Sequence, residues 1–96
     1  MKKNIFITQP ILEDAKKLLE KHDYLVLENR KNKVLSENEL KESVKDKDGI
    51  ICLLSDKINR IVLSSANKAI VFANYAVGYD NIDIKTATEM GIAITN

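Results

Sequence analysis

The residue types that most often carry out chemistry are scarce in this 96-residue sequence. It contains one histidine, His22, one cysteine, Cys52, and two arginines, Arg30 and Arg60. His22 stands at the C-terminal end of a predicted helix, where it could stabilise the helix by interacting with its dipole. Cys52 falls within an apolar run that is typical of a buried strand, which favours a structural thiol. Both arginines are expected to face solvent. These side chains form no metal-ligand constellation and indicate no catalytic group.

Phosphate-binding motifs are also missing from the sequence. Neither GxGxxG nor GxxxxGK[ST] occurs, so we expect no dinucleotide and no nucleoside triphosphate on this chain. A ligand could still be held by backbone groups. The polar loop at residues 74–81 contains Gly78, where the absence of a side chain would let a ligand approach the backbone. Consecutive N–H groups in such a turn can hold a carboxylate. The alternative is that Gly78 only allows a tight turn.

Short apolar runs alternate along the chain with segments of helical spacing. Strands are predicted at residues 4–8, 24–28, 49–54, 69–73 and 92–95. Helices are predicted from Pro10 to Lys21, from Ser36 onward, from Asn59 to Ala66 and from Asp83 to Met90. The first helix should present Ile11, Leu12, Ala15, Leu18 and Leu19 on one face.

The helix ends are marked by capping residues. Ser36 and Glu39 have the spacing of a capping box, and Leu35 and Leu40 that of its hydrophobic staple. Further caps are predicted at Asn59, with Ile58 and Leu63 as its staple, at Asp83, and at Gly91 after the last helix.

Five strands that alternate with four helices predict an α/β fold with right-handed crossovers and a parallel sheet. We expect a flavodoxin-like five-stranded sheet in the order 2-1-3-4-5, with helices on both faces. Its binding crevice should lie at the carboxyl ends of the strands, near residues 8–9, 54–56 and 74–81. Because no helix follows the fifth strand, we expect the domain to be incomplete at its C-terminal end. The face near Ile92 and Ile94 should then be exposed and favour self-association.

Composition excludes several function classes. The 15 basic and 14 acidic residues give a net charge of +1, which indicates neither nucleic acid nor an anionic membrane as a partner. No apolar run approaches the length of a membrane span, and the apolar segment after Met1 is too short for a signal peptide. A lone cysteine is typical of a reducing compartment, so we expect a cytoplasmic protein.

At the loop described above, the sequence resembles a known family. The segment from Phe72 to Asp83, then Ala87, then the segment from Gly91 to Asn96, is similar to the D-isomer-specific 2-hydroxyacid dehydrogenases. The pattern of that family is a hydrophobic strand, V-G-aromatic-D-N-I-D, an alanine and then G-I-x-V-x-N. The segment from Leu53 to Ile58 is similar to the end of the family's third strand. The glyoxylate/hydroxypyruvate reductase branch is the most similar.

The resemblance implies an oxidoreductase that reduces a 2-keto acid to the D-2-hydroxy acid with NAD or NADP as cofactor. It implies two domains around a cleft and a homodimer in the complete enzyme. Residues 1–96 would be the N-terminal part of the substrate-binding domain. The cofactor-binding domain, which in the family supplies the arginine, acid, histidine and GxGxxG loop, would be absent from this chain. The chain alone should bind no cofactor and should be inactive.

The resemblance also carries over a set of binding positions. The backbone amides of Val77 and Gly78 match those that hold the substrate carboxylate in the family. Leu53, and less closely Leu54 and Ser55, match positions that border the same pocket, and Ala76 and Tyr75 would add to its wall. Asn96 would lie at the hinge toward the cofactor domain.

The alternative function is a stand-alone binding module of flavodoxin-like fold, in particular a phosphoreceiver. Asp56, just beyond the third strand, would then be the phosphoacceptor. A receiver also needs an acidic pair after its first strand to hold Mg²⁺, whereas this chain has Thr8, Gln9 and Pro10 there. A third possibility is a remnant without activity.

Overall fold

The computed structural model describes residues 2–9, 13–31 and 33–96, and within them it contains five strands and four helices. The strands are β1 (Lys3–Ile7), β2 (Tyr24–Glu28), β3 (Gly49–Leu53), β4 (Val71–Tyr75) and β5 (Ala93–Thr95). The helices are α1 (Glu13–Lys21), α2 (Glu37–Ser43), α3 (Arg60–Ser65) and α4 (Ile84–Glu89). The predicted helix start at Pro10, the predicted contacts of Ile11 and Leu12, and the side chain of Ala15 lie outside what the structure describes.

All strand pairs are parallel, and their order across the sheet is β2-β1-β3-β4-β5. This confirms the predicted flavodoxin-like order. The order reverses between β1 and β3, where Ile5 pairs with Gly49. Because Leu53 pairs with Tyr75, β3 and β4 end side by side, and the loops that follow them emerge at one edge of the sheet.

The main core lies on one face of the sheet, beneath α2, α3 and α4. Phe6, Ile50 and Phe72 point to this face, and Leu40 and Leu63 cover them from the helices. Phe72 has no exposed surface. Burying an aromatic side chain of this size contributes about 1.5–3 kcal/mol to folding.

Helix α1 packs on the opposite face, mainly against β2, so the prediction of helices on both faces is confirmed. Its Leu19 lies in a groove with Ile5 and Tyr24. Leu18, predicted on the same apolar face, is 57% exposed, so that prediction is wrong. No helix in the described parts of the chain is long and apolar enough to cross a membrane.

The capping box at α2 is formed as predicted. Glu39 N donates to Ser36 Oγ at 3.2 Å, and Ser36 N donates to Glu39 Oε1 at 2.9 Å. Leu35 and Leu40 are both buried, as expected of a hydrophobic staple. A hydrogen bond from Lys31, followed by the one from Ser36 N–H, lowers the pKa of Glu39 from its usual 4.5 to about 2.

The caps of α3 and α4 are also confirmed. Asn59 accepts from Val62 N at 3.0 Å, and Asp83 accepts from Thr86 N at 3.1 Å. The hydroxyl of Thr86 also donates to Asp83 and is the main reason that the pKa of this carboxyl is lowered. Gly91, with φ +72°, follows Met90, the C-cap of α4. The sequence therefore located both ends of α4 through its cap residues.

Strand β4 lies two residues further along the chain than predicted. It spans Val71–Tyr75 rather than residues 69–73, because its register is set by pairing of Val71 with Gly49. Ile70 is left 66% exposed before the strand. Asn74, expected in a loop, is instead a strand residue that is 2% exposed. A polar side chain is tolerated there because its amide is hydrogen-bonded.

The prediction of an exposed face near Ile92 and Ile94 is wrong for these two side chains. Ile92 is buried and Ile94 packs against the main core beneath α4. The exposed residues of β5 are Ala93 and Thr95, which belong to the face that α1 only partly covers. The α4 crossover therefore covers the isoleucines without a further helix.

Candidate functional site

The loops after β3 and β4 flank a shallow, open cleft at the carboxyl edge of the sheet. The cleft has a volume of about 790 Å³ and is lined by Leu53, Leu54, Ser55, Tyr75, Ala76 and Val77. Six of the seven pocket residues named from the resemblance thus border one cleft, and the seventh, Gly78, follows Val77 directly. The structure brings these positions together through the pairing of Leu53 with Tyr75.

The backbone at Val77 and Gly78 is accessible to solvent, and Gly78 has an unusual backbone conformation. Val77 is 97% exposed, and Gly78 has φ +86°, in the left-handed region that favours glycine. Within the described ranges, the N–H of Ala76 donates to Asn74 O at 2.9 Å, whereas those of Val77 and Gly78 have no acceptor. Two consecutive free amides beside a cleft are a suitable binding site for a carboxylate.

The β3 side of the cleft is mainly apolar. Leu53 is half-buried, and Leu54, which lies just beyond the strand, is 55% exposed. The hydroxyl of Ser55 accepts from Gln9 Nε2 at 2.8 Å, so β1 also reaches this edge. None of the six lining residues carries a charge. The cleft can therefore attract an anion only through neutral donors, which are its backbone amides and the hydroxyls of Ser55 and Tyr75.

The reactive side chains lie where the sequence analysis expected them. His22 is exposed after α1, and the side chain of Arg30 is 78% exposed and lies 3.6 Å from Glu28. Cys52 is fully buried; burial, followed by the negative charge of Asp56, raises the pKa of its thiol to about 12. Among the described residues no group of three His, Cys, Asp or Glu side chains could hold a metal ion.

Asp56 is placed in a way that argues against a phosphoreceiver. It has no exposed surface, and its Oδ2 accepts from Leu53 N at 2.9 Å and from the hydroxyl of Thr8. Its Oδ1 is buried and has no partner among the described residues. A phosphoacceptor carboxylate must be open to its phosphate donor, whereas this one is enclosed beneath the turn that it stabilises.

Two asparagines that flank the cleft loop had no role predicted from the sequence. Asn74 and Asn81 hydrogen-bond to each other, and each also binds a backbone carbonyl, that of Gly78 and that of Leu53 respectively. The one feature of the sequence that could have identified them is their position, because they stand at the start and at the end of the loop. An asparagine seven residues from another gives no periodic pattern, so spacing alone could not pair them.

A family model matches almost the whole chain. The D-isomer specific 2-hydroxyacid dehydrogenase catalytic domain is matched over residues 5–96. The chain is 41% identical over 96 residues to the glyoxylate reductase of Thermococcus onnurineus and 40% identical to that of Pyrococcus furiosus. In both cases the match covers all of this chain and 28% of the relative, so the chain spans less than a third of their length.

Solved structures show the same fold. The TT0316 protein of Thermus thermophilus superposes with a TM-score of 0.91 and 29% identity, over 97% of this chain and 30% of that one. The NAD⁺-bound 3-phosphoglycerate dehydrogenase of Entamoeba histolytica superposes with a TM-score of 0.83 and 30% identity, over 98% and 32%.

Proposed function

The chain belongs to the D-isomer specific 2-hydroxyacid dehydrogenase family, and we propose that it supplies the substrate-binding half of the cleft in such an enzyme. The proposed reaction of the complete protein is reduction of a 2-keto acid, such as glyoxylate or hydroxypyruvate, to the D-2-hydroxy acid with NADH or NADPH. The identity to glyoxylate reductases supports a small, glyoxylate-like substrate.

One observation carries this proposal: the free amides of Val77 and Gly78 lie beside the apolar wall of the cleft. Hydrogen bonds from N–H groups to a carboxylate are charge-assisted and stronger than those to a neutral acceptor. A bound 2-keto acid would place its carboxylate on the two amides and its remaining atoms against Leu53 and Leu54. The amides would thereby fix the position of the keto carbon.

The remaining chemistry needs residues that this segment does not offer. Reduction of a keto group requires a proton donor and a group that polarises the keto oxygen, and none of the cleft-lining residues is a cation. The three glycines do not fit a dinucleotide loop: Gly49 begins β3, Gly78 lies in the cleft loop and Gly91 follows α4. We therefore assign no cofactor to these residues and no reaction step to the segment alone.

A second domain, outside these residues, completes the proposal. It would hold the nucleotide and would supply the cation and the proton donor across the cleft. Residues 1–96 would then be an N-terminal substrate-binding segment that is inactive by itself. A homodimer of the complete protein is part of the same proposal, and light scattering on that protein would test it.

The binding role can be tested on the chain itself. We expect the ¹⁵N-labelled chain, titrated with glyoxylate, to show shifts of the Val77 and Gly78 amide signals at millimolar concentrations. The Gly91 amide, also in left-handed backbone but far along the chain, serves as the internal control. Glycolaldehyde, which lacks the carboxylate, should leave all three signals in place. Stationary Val77 and Gly78 signals at high millimolar glyoxylate would contradict the proposal.

The enzymatic role can be tested with a chimera. In it this chain replaces the matching 96-residue segment of the Thermococcus onnurineus glyoxylate reductase. We expect oxidation of NADH or NADPH with glyoxylate by the chimera and none by the chain alone. A folded chimera that binds nucleotide but does not reduce glyoxylate would contradict the proposed substrate, and turnover by the chain alone would contradict its proposed inactivity.

A further inference from the structure

We propose that Asn74 and Asn81 are positioning residues that fix the amides of Val77 and Gly78 relative to the apolar wall of the cleft. Neither side chain lines the cleft. Their effect on substrate rests on the function proposed above, whereas their effect on the loop can be measured without any ligand.

Asn74 forms hydrogen bonds to the residues on both sides of Val77. Its backbone carbonyl accepts from Ala76 N at 2.9 Å, and its side-chain Nδ2 donates to the carbonyl of Gly78 at 3.0 Å. Val77 therefore lies between two contacts to one residue, and that residue is 2% exposed within β4. The exposed loop is thus attached to a rigid part of the sheet.

Asn81 ties the same loop to the turn after β3. Its Nδ2 donates to the carbonyls of Leu53 and Asp56, both at 3.0 Å. It also accepts from Asn74: Asn74 Nδ2 donates to Asn81 Oδ1 at 2.9 Å. Leu53, a residue of the cleft wall, is consequently linked to the amide pair through two asparagine side chains.

The turn that follows Leu53 is itself fixed by hydrogen bonds of the Asp56 side chain. Asp56 Oδ2 accepts from Leu53 N at 2.9 Å and from the hydroxyl of Thr8, the residue that follows β1. Thr8 and Asp56 both have no exposed surface. The network therefore extends from β1, through the turn after β3, to the amides beyond β4.

The chemistry of the network requires an amide at position 81. Asparagine offers two N–H donors and a carbonyl acceptor, and Asn81 uses both kinds of group. Aspartate has nearly the same size but no donor when ionised. It would leave the carbonyls of Leu53 and Asp56 without this partner, so Asn81→Asp removes the link with little change in volume.

The loop is tested by ¹⁵N relaxation of the 96-residue chain. In the wild type we expect order parameters of about 0.8 for the Val77 and Gly78 amides, falling below about 0.6 in Asn81→Asp, with Ile50 and Phe72 unchanged. Asn67→Asp is the matched control, since Asn67 also bonds through its amide, to Asp46. It should leave Val77 and Gly78 rigid. Unchanged order parameters in Asn81→Asp would overturn the proposal.

Two further measurements keep the test decisive if Asn81→Asp does not fold. Asn81→Ser keeps a single donor and should give an intermediate loss of order at Val77 and Gly78; no loss would overturn the proposal. In the wild-type chain, the side-chain NH₂ protons of Asn74 and Asn81 should exchange with solvent far more slowly than those of the exposed Asn67. Equal exchange rates would also overturn it.

A glyoxylate titration separates this inference from the proposed function. If the wild-type chain binds, Asn81→Asp should bind about tenfold more weakly or worse, with Asn67→Asp unchanged. Equal binding by wild type and Asn81→Asp would overturn the positioning role and leave the proposed function standing. If the wild-type chain does not bind, the proposed function fails, and the relaxation data still decide the role of the asparagines.

Discussion

Replacing Gly78 with alanine should separate the conformational role of this glycine from its role in binding. Gly78 has φ +86°, and a Cβ built on it would meet no heavy atom within 4 Å. The substitution therefore introduces backbone strain without a steric clash. The same description holds for Gly91, with φ +72° and no atom within 4 Å, which provides a matched control away from the cleft.

The size of the effect follows from two opposing terms. Left-handed backbone is about 1–2 kcal/mol less favourable for alanine than for glycine. Alanine also restricts the unfolded chain, which offsets roughly 0.4–1 kcal/mol of that. We therefore expect both Gly78→Ala and Gly91→Ala to lower the free energy of unfolding by about 1 kcal/mol. For a domain of this size that is a decrease in Tm of about 4–8 °C. Gly78→Asn should be less destabilising, because asparagine tolerates this conformation.

Urea unfolding of the three variants measures stability, and the glyoxylate titration measures binding. Equal destabilisation by the two alanines, with weaker binding only in Gly78→Ala, is the expected result. A loss above about 3 kcal/mol in Gly78→Ala would refute the absence of a clash. No loss in either alanine variant would refute the left-handed conformation, and equal binding by both would refute the need for a residue without a side chain at position 78.

Three other predictions concern the scaffold. Cys52 should not react with a chromogenic disulfide reagent in the native chain, because its thiol is buried and its pKa is about 12, yet should react fully in urea; rapid native reaction would contradict its burial. Since folding lowers the pKa of Glu39 from 4.5 to about 2, its stabilising effect is complete above pH 4.5 and is lost as the pH falls from 4.5 through 2. Glu39→Gln should flatten that part of the acid unfolding curve, and an unchanged curve would disprove the coupling. Phe72→Ala should lower the free energy of unfolding by about 3–5 kcal/mol, against less than about 0.5 kcal/mol for Leu18→Ala, which is 57% exposed; similar losses would contradict the assigned core.

Features encoded within a few residues were predictable from the sequence. The Ser36–Glu39 box and the caps at Asn59 and Asp83 depend on spacings of three residues, and the structure contains each of them. The strand order followed from the alternation of strands and helices, because parallel crossovers leave few possible topologies. The family motif then located the cleft loop to within a few residues.

Features set by distant partners were not predictable in this way. The bounds of β4 depend on pairing with Gly49, and the burial of Asp56 depends on Thr8, 48 residues away. Leu18 looks like a core residue from its helical spacing, yet 57% of it is exposed. Periodicity reports which residues could be buried, whereas burial itself depends on which element packs opposite.

The proposed site illustrates why a binding site built from backbone is difficult to detect in a sequence. Every residue has an N–H group, so the identity of Val77 carries little information about the bond that its amide would form. The sequence must instead encode neighbouring residues that leave two adjacent N–H groups without an intramolecular acceptor and hold them in a fixed position. Gly78 permits the left-handed backbone, Asn74 binds the carbonyl of Gly78, and Asn81 binds the carbonyl of Leu53 at the end of β3. Substitutions at these three positions should therefore impair binding more than substitution of the exposed Val77 side chain, although Val77 would itself contact the substrate.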